Sequence, residues 1–593
     1  MSLKKNLIRT ALGKEPADLI IKNGNLVNVH SGEIYKTDIA VRDGLIASIG
    51  PVPEGAFGQK TQIIDAEGRY LAPGFIDAHI HIESSMLTYT AFAKAVVVRG
   101  TTAVVSDLME VTIVSGVPGL KALLKEAESA PVKLFYPIPS FMGEEEAAYQ
   151  TTGSLLLPNL IEELILLPQA IGLAEVLYPP ILAEDENSAR NLALAEKYGK
   201  TAEGHAPALL GEALNAYAGT GIRSDHESTN KEEALAKLRA GLRILIREGS
   251  ASSDLQDVIR ILTEENVDTR YISFISDDID ALHIQDFGHQ DHKVRLAVQT
   301  GVSPVKAIQM VTINPAESLK LDGTRGSILP GKVADIVILS SLKDCRVEKV
   351  IIDGQLIVDE KDGQAVLQKS YPPPLYEDVL LNTVRLVASV RGADLLIEAP
   401  EKSLAKVHVI GISGANLLAD ALEADLPVVD DVIRADIPGD VLHIACVERY
   451  GKNGNIGKSF VRGVGLKAGA IALSVGHDHH NITVVGTNGA DMAAAVNRVA
   501  ALNGGIVYVR DNTVVSEIAL PVAGLLSLKN GDQVADDLRR LIAILKENGC
   551  LLPSPNVTLS FVTLIFIPFL AITDKGLFDV LKFRIIDPVI SAV

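Results

Sequence analysis

Hydrophobic and polar positions along the chain fall into three successive patterns. After a polar, helix-like opening, "ADLIIKNGNLVNVHSGEIYKTDIAVRDGLIASIG" alternates short β-rich runs with Asn-Gly, Ser-Gly and Asp-Gly turns, which predicts antiparallel strands. From Leu71 to about Leu321 short apolar runs such as "TTAVVSDLME", "AIGLAEVL", "TAEGHAP" and "YISFISDD" alternate with helical stretches such as "NKEEALAKLRAGLRILIREG". Repeated βα units of this length predict a parallel sheet and favour a (β/α)8 barrel. "GSILPGKVADIVILSSLKDCRVEKVIIDGQLIVD" then returns to turn-bounded strands, so both flanks of the barrel are expected to build one β domain. A last region has strands at "AIALSV" and "GGIVYV" and a helix at "GADMAAAVNRVAAL", with "SYPPPLYED" as the linker before it.

The expected fold class is therefore α/β: a (β/α)8 barrel, a β-sandwich built from both flanks and an additional C-terminal α+β domain. The boundaries expected are 1–70 and 323–369 for the β domain, 71–322 for the barrel and 370–593 for the C-terminal domain.

With 593 residues the chain exceeds a single core, and its net charge of −19 argues against nucleic acid, whose partners carry basic patches. Cys345, Cys446 and Cys550 lie far apart without a CxxC pair, which suits buried thiols in a reducing cytoplasm. The opening lacks a signal peptide's apolar segment. The late run "VTLSFVTLIFIPFLAI" is short and interrupted, and is read as core rather than a membrane span.

Candidate chemistry begins at "PGFIDAHIHIESS". In a strand, residues i and i+2 face the same side, so His79 and His81 can reach one point. Barrel active sites lie at the C-terminal strand ends, and that is where further polar residues fall. Glu175 comes late in "AIGLAEVL", His205 follows "TAEG", His226 follows "GIRSD", and Asp277 and Asp278 end "YISFIS". Each alone has a plain reading as a cap, a loop residue or a paired carboxylate. Together, four imidazoles and the carboxylates of Glu175 and Asp277 are enough for two divalent ions bridged by one carboxylate.

The order HxH, carboxylate, His, His, Asp resembles the amidohydrolase superfamily. Its wording is similar to the adenine deaminase family over nearly the whole chain: "PGFIDAHIHIESSMLT", "RGTTAVVSD", "GLAE", "GHAP", "LNAY", "GIRSDHES", "IREGSA", "SDD", "GHDHHN", "LPVAGL" and "TDKGLFDV". The resemblance implies two metal ions, Mn or Fe with Zn as an alternative, and Glu175 in the bridging place. It also implies a small purine substrate, a homo-oligomer, and hydrolysis of adenine to hypoxanthine and ammonia by attack of hydroxide on C6. An N6-substituted or other aminopurine, or a cyclic amide, is the alternative substrate, and a non-catalytic scaffold the remote one. Asp277 is the expected general base, and Glu110 or Glu227 the acid for ring nitrogen N1. A single-zinc cytidine-type site is excluded, because no PCxxC follows "HIE" at His81 to Glu83.

Two segments depart from the family. "SDLMEV" puts Met109 where the family has histidine, and "PSFMGEEEA" replaces a Pro-Ser-Cys-Val-Pro segment. Met109, Ser140 and Asp278 are expected to face the substrate. His477 and His480 are expected to reach the barrel mouth from the C-terminal domain, from their own chain or a neighbouring subunit, while His479 stands where the family has serine.

Overall fold

The computed structural model describes residues 2–140, 147–155, 158–413, 419–567 and 569–593. Eight buried runs pair side by side in parallel: Phe75–Asp77, Thr101–Val105, Lys133–Pro139, Ala170–Leu177, Thr201–His205, Ser224–Asp225, Arg243–Arg247 and Ile272–Ile275. Most of their residues are buried on both faces, because helices cover one side and the barrel interior the other.

The seam between the first and eighth strands is closed at three levels. At the base, Ile76 N donates to Val311 O at 2.8 Å and Phe274 N to Met310 O at 3.1 Å. In the middle, Ser276 Oγ donates to Asp77 Oδ2 at 2.6 Å, and the His289 ring lies 3.1 Å from Asp77 and 2.8 Å from Thr101 Oγ1. At the mouth, Asp277–Asp278 pairs in parallel with Ile80–His81. This last pairing brings the first and eighth strand ends, with their polar residues, to one level.

Strands from the two flanks form one nine-stranded sheet. The segment Ile336–Ser341 pairs with Tyr70–Pro73, joining the halves beside the barrel. The sheet closes over Ile39, Val41, Ile46, Ile336, Ile338 and Ile351, which share one apolar cluster.

The C-terminal region builds a ten-stranded sheet with the helix Gly489–Ala501 against it. Barrel residues such as Leu87 and Val111 and C-terminal residues such as Leu473 and Leu541 belong to one continuous apolar cluster. The late apolar run becomes the short helix Pro555–Phe561 and the strand Leu570–Thr573, with Pro568 outside the described residues. Among the described residues no helix is long and apolar enough to cross a membrane.

One buried ion cluster ties the strand-end loops together. Lys237 Nζ donates to Asp225 at 2.6 Å and to Glu233 at 2.7 Å, and Lys237 and Asp225 are fully buried. Asp225 also accepts from the backbone N–H groups of Ala206 and Glu227, and Glu233 from that of Ala208. Removing the cation leaves two buried carboxylates unpaired, which costs about 3–5 kcal/mol. Urea denaturation of Lys237→Met is expected to show a loss of that size, while the exposed Lys121, paired with Glu163, tolerates Lys121→Met with an unmoved midpoint. Equal effects of the two substitutions would contradict the account.

Candidate functional site

The strand ends converge on Glu175. His81 Nε2 lies 3.0 Å and His79 Nε2 3.4 Å from Glu175 Oε1, with His226 Nε2 at 3.8 Å; His205 Nδ1 lies 4.0 Å from Oε2. Asp277 Oδ1 stands 3.6 Å from both His79 Nε2 and His81 Nε2. All six sequence-expected donors are thus brought together, and all but the half-buried His205 are buried.

Backbone geometry explains how two carboxylates reach inward. Glu175 and Asp277 have φ of +48° and +56°, in the left-handed region that is unfavourable for residues with a Cβ. Glu175 sits where the pairing of the fourth and fifth strands shifts register, between Leu173 and Val176. Such a bulge re-aims a side chain at a strand end. The Tyr217 hydroxyl braces the same place, donating to Val176 O and accepting from His205 N at 3.1 Å.

Other groups orient the donors. Glu203 Oε2 is 3.4 Å from His79 Nδ1, and Asp107 Oδ1 is 3.4 Å from His81 Nδ1. Arg247 Nη1 donates to Glu227 Oε1 at 2.6 Å and to Asp277 Oδ2 at 3.4 Å. Sequence reasoning missed Asp107, Glu203 and Arg247, although the same signal was present: each is polar and at or near the C-terminal end of an apolar run. Glu203 stands two residues before His205, on the same strand face.

Charge in this mouth is held by pairing against burial. Burial opposes ionisation of Glu175, yet His79 and His81 hold its carboxyl well below the usual range. Asp277 is lowered in the same way against burial, by His79 and then Arg247. His79 is raised despite burial, by Asp277, Glu175 and Glu203. His226 is pushed down by burial and by His79, so its ring lone pair is free to bind a cation. Two of the ring nitrogens that face Glu175, His79 Nε2 and His205 Nδ1, are buried without a hydrogen bond among the described residues. Imidazole nitrogens without hydrogen bonds, facing carboxylate oxygens, form a donor set that suits divalent metal ions.

The remaining expected residues fall around this centre. The loop 474–481 joins the paired strands Ala470–Leu473 and Ile482–Gly486 and reaches the barrel from its own chain. There His477 Nδ1 lies 2.9 Å from Glu110 Oε1, and His480 Nε2 contacts Glu110 Oε2. His479 points elsewhere, 3.9 Å from the Cys446 thiol. Asp278 accepts from Ser84 Oγ and lines a narrow cleft with Met86, His477, Asn556 and Phe561. Ser140 Oγ donates to Glu175 O at 2.9 Å. Met109 is buried in the apolar cluster and starts the helix Met109–Ala127. The changed segment after the third strand, residues 141–146, lies outside the described residues.

An eight-stranded barrel with imidazoles and carboxylates at its strand ends defines a metal-dependent hydrolase of the amidohydrolase class, and residues 70–357 match the Amidohydrolase family model. Residues 416–584 match the Adenine deaminase C-terminal domain model. The chain is 40% identical over 587 residues to an adenine deaminase of Moorella thermoacetica, covering 98% of this chain and 97% of that one. It is 39% identical over 579 residues to an adenine deaminase of Kosmotoga olearia, covering 97% of each. The chain belongs to the adenine deaminase family. Among solved structures, a β-aspartyl dipeptidase of Fervidobacterium islandicum is similar at 21% identity and a TM-score of 0.45, covering 59% of this chain and 99% of that one.

The Glu110 contact generates a pH prediction. Burial opposes a charge on His477, but Glu110 overcomes it and raises the ring from 6.5 to about 9. A raised folded value means that stability is fully present below pH 6.5 and lost as pH rises through about 9. The urea midpoint is therefore expected to fall across that window, and to fall less steeply in His477→Gln. Parallel slopes in the two proteins would show that the pair carries no such charge.

Proposed function

We propose that this protein hydrolyses adenine to hypoxanthine and ammonia at the barrel mouth. The observation that carries this reading is the convergence of six donors about Glu175 in a chain of the adenine deaminase family. His79, His81, Glu175, His205, His226 and Asp277 would hold two divalent ions, Mn or Fe, with Zn as the alternative, and Glu175 would lie between them. When bound, such ions acidify water and so supply the nucleophile at neutral pH.

The chain's own groups handle the protons. Asp277 serves as general base: it takes a proton from the attacking water and passes it to the departing amine. Arg247 fixes its far oxygen at 3.4 Å. As C6 becomes tetrahedral, N1 must gain a proton. We assign that transfer to the Glu110–His477 pair: His477 and His480 hold the Glu110 carboxyl well below the usual carboxylate range, and the ionised Glu110 in turn keeps His477 charged as the source of the proton. Glu227 is engaged by Arg247 at 2.6 Å and is read as an orienting group for His226.

Asp278 and His477 on the cleft wall, with His480 behind Glu110, are read as the substrate side. Ser140 is read as a brace for Glu175 through the peptide carbonyl. Met109, packed in the apolar cluster, is read as support for the loop rather than as a selector between adenine and N6-alkylated adenine. All three cysteines are buried free thiols, which suits a cytoplasmic enzyme of purine salvage.

The test uses Mn-loaded protein with adenine and N6-methyladenine, following ammonia and hypoxanthine. Adenine is expected to be the better substrate, with kcat reduced about a hundredfold or more in Asp277→Asn and in Glu110→Gln. Met109→His should leave the preference between the two purines unchanged. Ring-opening of a cyclic amide without ammonia from adenine would overturn the assignment, and full activity of Asp277→Asn would overturn the mechanism.

A further inference from the structure

A second group of ligand-type side chains lies apart from the Glu175 centre and has no part in the chemistry above. Glu248 stands one residue past the seventh barrel strand, His283 lies on the helix Ala281–Asp286 and His292 on the helix Gln290–Gln299. One donor atom from each lies within 4.8 Å of the other two. His292 Nε2 is 3.9 Å from Glu248 Oε1, and the two imidazole rings stand 5.7 Å apart at 72°.

These groups do not satisfy one another. A separation of 3.9 Å is too long for a hydrogen bond. Glu248 Oε2 and His283 Nε2 are buried with no hydrogen-bond partner among the described residues, a state that buried polar atoms rarely keep. Glu248 is already fixed on its other oxygen, which accepts from Ser253 Oγ at 2.8 Å. Two ligands of a tetrahedral ion at zinc distances are separated by about 3.3 Å. Small side-chain movements therefore bring the three donors into range.

We propose that Glu248, His283 and His292 form a third metal site that binds one divalent ion of the zinc type. Two imidazoles and one carboxylate suit zinc, whereas Mg2+ and Ca2+ favour all-oxygen sites. Water takes the fourth position. Two cations border the site. The Lys293 ammonium is held by Ser276 Oγ at 2.9 Å, and Asp77 and Asp291 answer its charge along with Glu248. Arg295 Nη2 lies 3.5 Å from His292 Nδ1, and it has Phe287 O at 2.7 Å and Asp291 to turn to when that nitrogen carries hydrogen.

The ion would fasten the end of the seventh strand to the two helices after the eighth. The first of them, Ala281–Asp286, meets the C-terminal region: Gln285 donates to Asp532 at 3.2 Å and accepts from Arg539 at 2.8 Å. Binding there would stabilise the junction between barrel and C-terminal region.

The test is metal stoichiometry in the full-length protein. Chelator-stripped wild type, His283→Ala and His292→Gln are dialysed against Zn2+, and bound metal is measured by elemental analysis. Each variant is expected to bind one ion fewer than wild type, and to lose the rise in melting temperature that wild type gains on filling the additional site. Deamination after Mn loading should stay within about twofold of wild type, because none of the three residues touches the Glu175 centre. The comparison is a difference of one ion, so it holds whatever the occupancy of that centre. His283 is only half-buried, so His283→Ala carries the test if His292→Gln does not fold. Equal zinc content in wild type and a folded variant would overturn the proposal.

Discussion

The mutual attraction between the Glu175 carboxylate and the imidazoles around it is the interaction on which the rest of the structure depends. Burial works against the charges of Glu175, Asp277 and His79, and each is kept only because an opposite one stands 3.0–3.6 Å away. That requirement explains why Glu175 and Asp277 adopt left-handed backbone geometry and why the seam between the first and eighth strands is braced so heavily. A strand end displaced by one residue would point its ligand to the wrong side. The barrel is in this sense a device for holding six side chains at one height.

The C-terminal region is part of that device rather than an appendage. Its loop 474–481 places His477 and His480 on Glu110, across 367 and 370 residues of chain. Loops are where chemistry is commonly added to a rigid scaffold, and here the scaffold and the loop come from different sheets. The continuous apolar cluster between barrel helices and C-terminal strands keeps the two in register. Asn481 extends the contact, donating to Thr151 O at 2.8 Å.

Much of this was legible in the sequence because strand ends announce themselves. His79, His81, Glu175, His205, His226 and Asp277 each close an apolar run, and a parallel barrel sends such ends to one face. Arg247 and Asp107 carried the same signal and were passed over, since an arginine or aspartate after a strand is most often a solvated residue. The partners of Glu110 could be suspected from "GHDHHN" but not fixed, because contacts over such sequence separation depend on how two sheets dock. The seam network of Asp77, Ser276 and His289 left no pattern at all: it joins segments far apart in the chain through contacts made mostly by side chains. Met109, conspicuous in sequence as a departure from the family, lies buried at the start of the helix Met109–Ala127 beside Glu110.

In the proposed function Glu175 would hold two divalent ions that act together in deamination. Electron paramagnetic resonance of the Mn2+-loaded protein tests it most directly, because two ions about 3.5–4 Å apart couple magnetically. Wild type is expected to show the coupled-pair spectrum, and Glu175→Gln to lose that coupling together with adenine turnover. A fully active wild type showing only the spectrum of isolated Mn2+ would contradict the account.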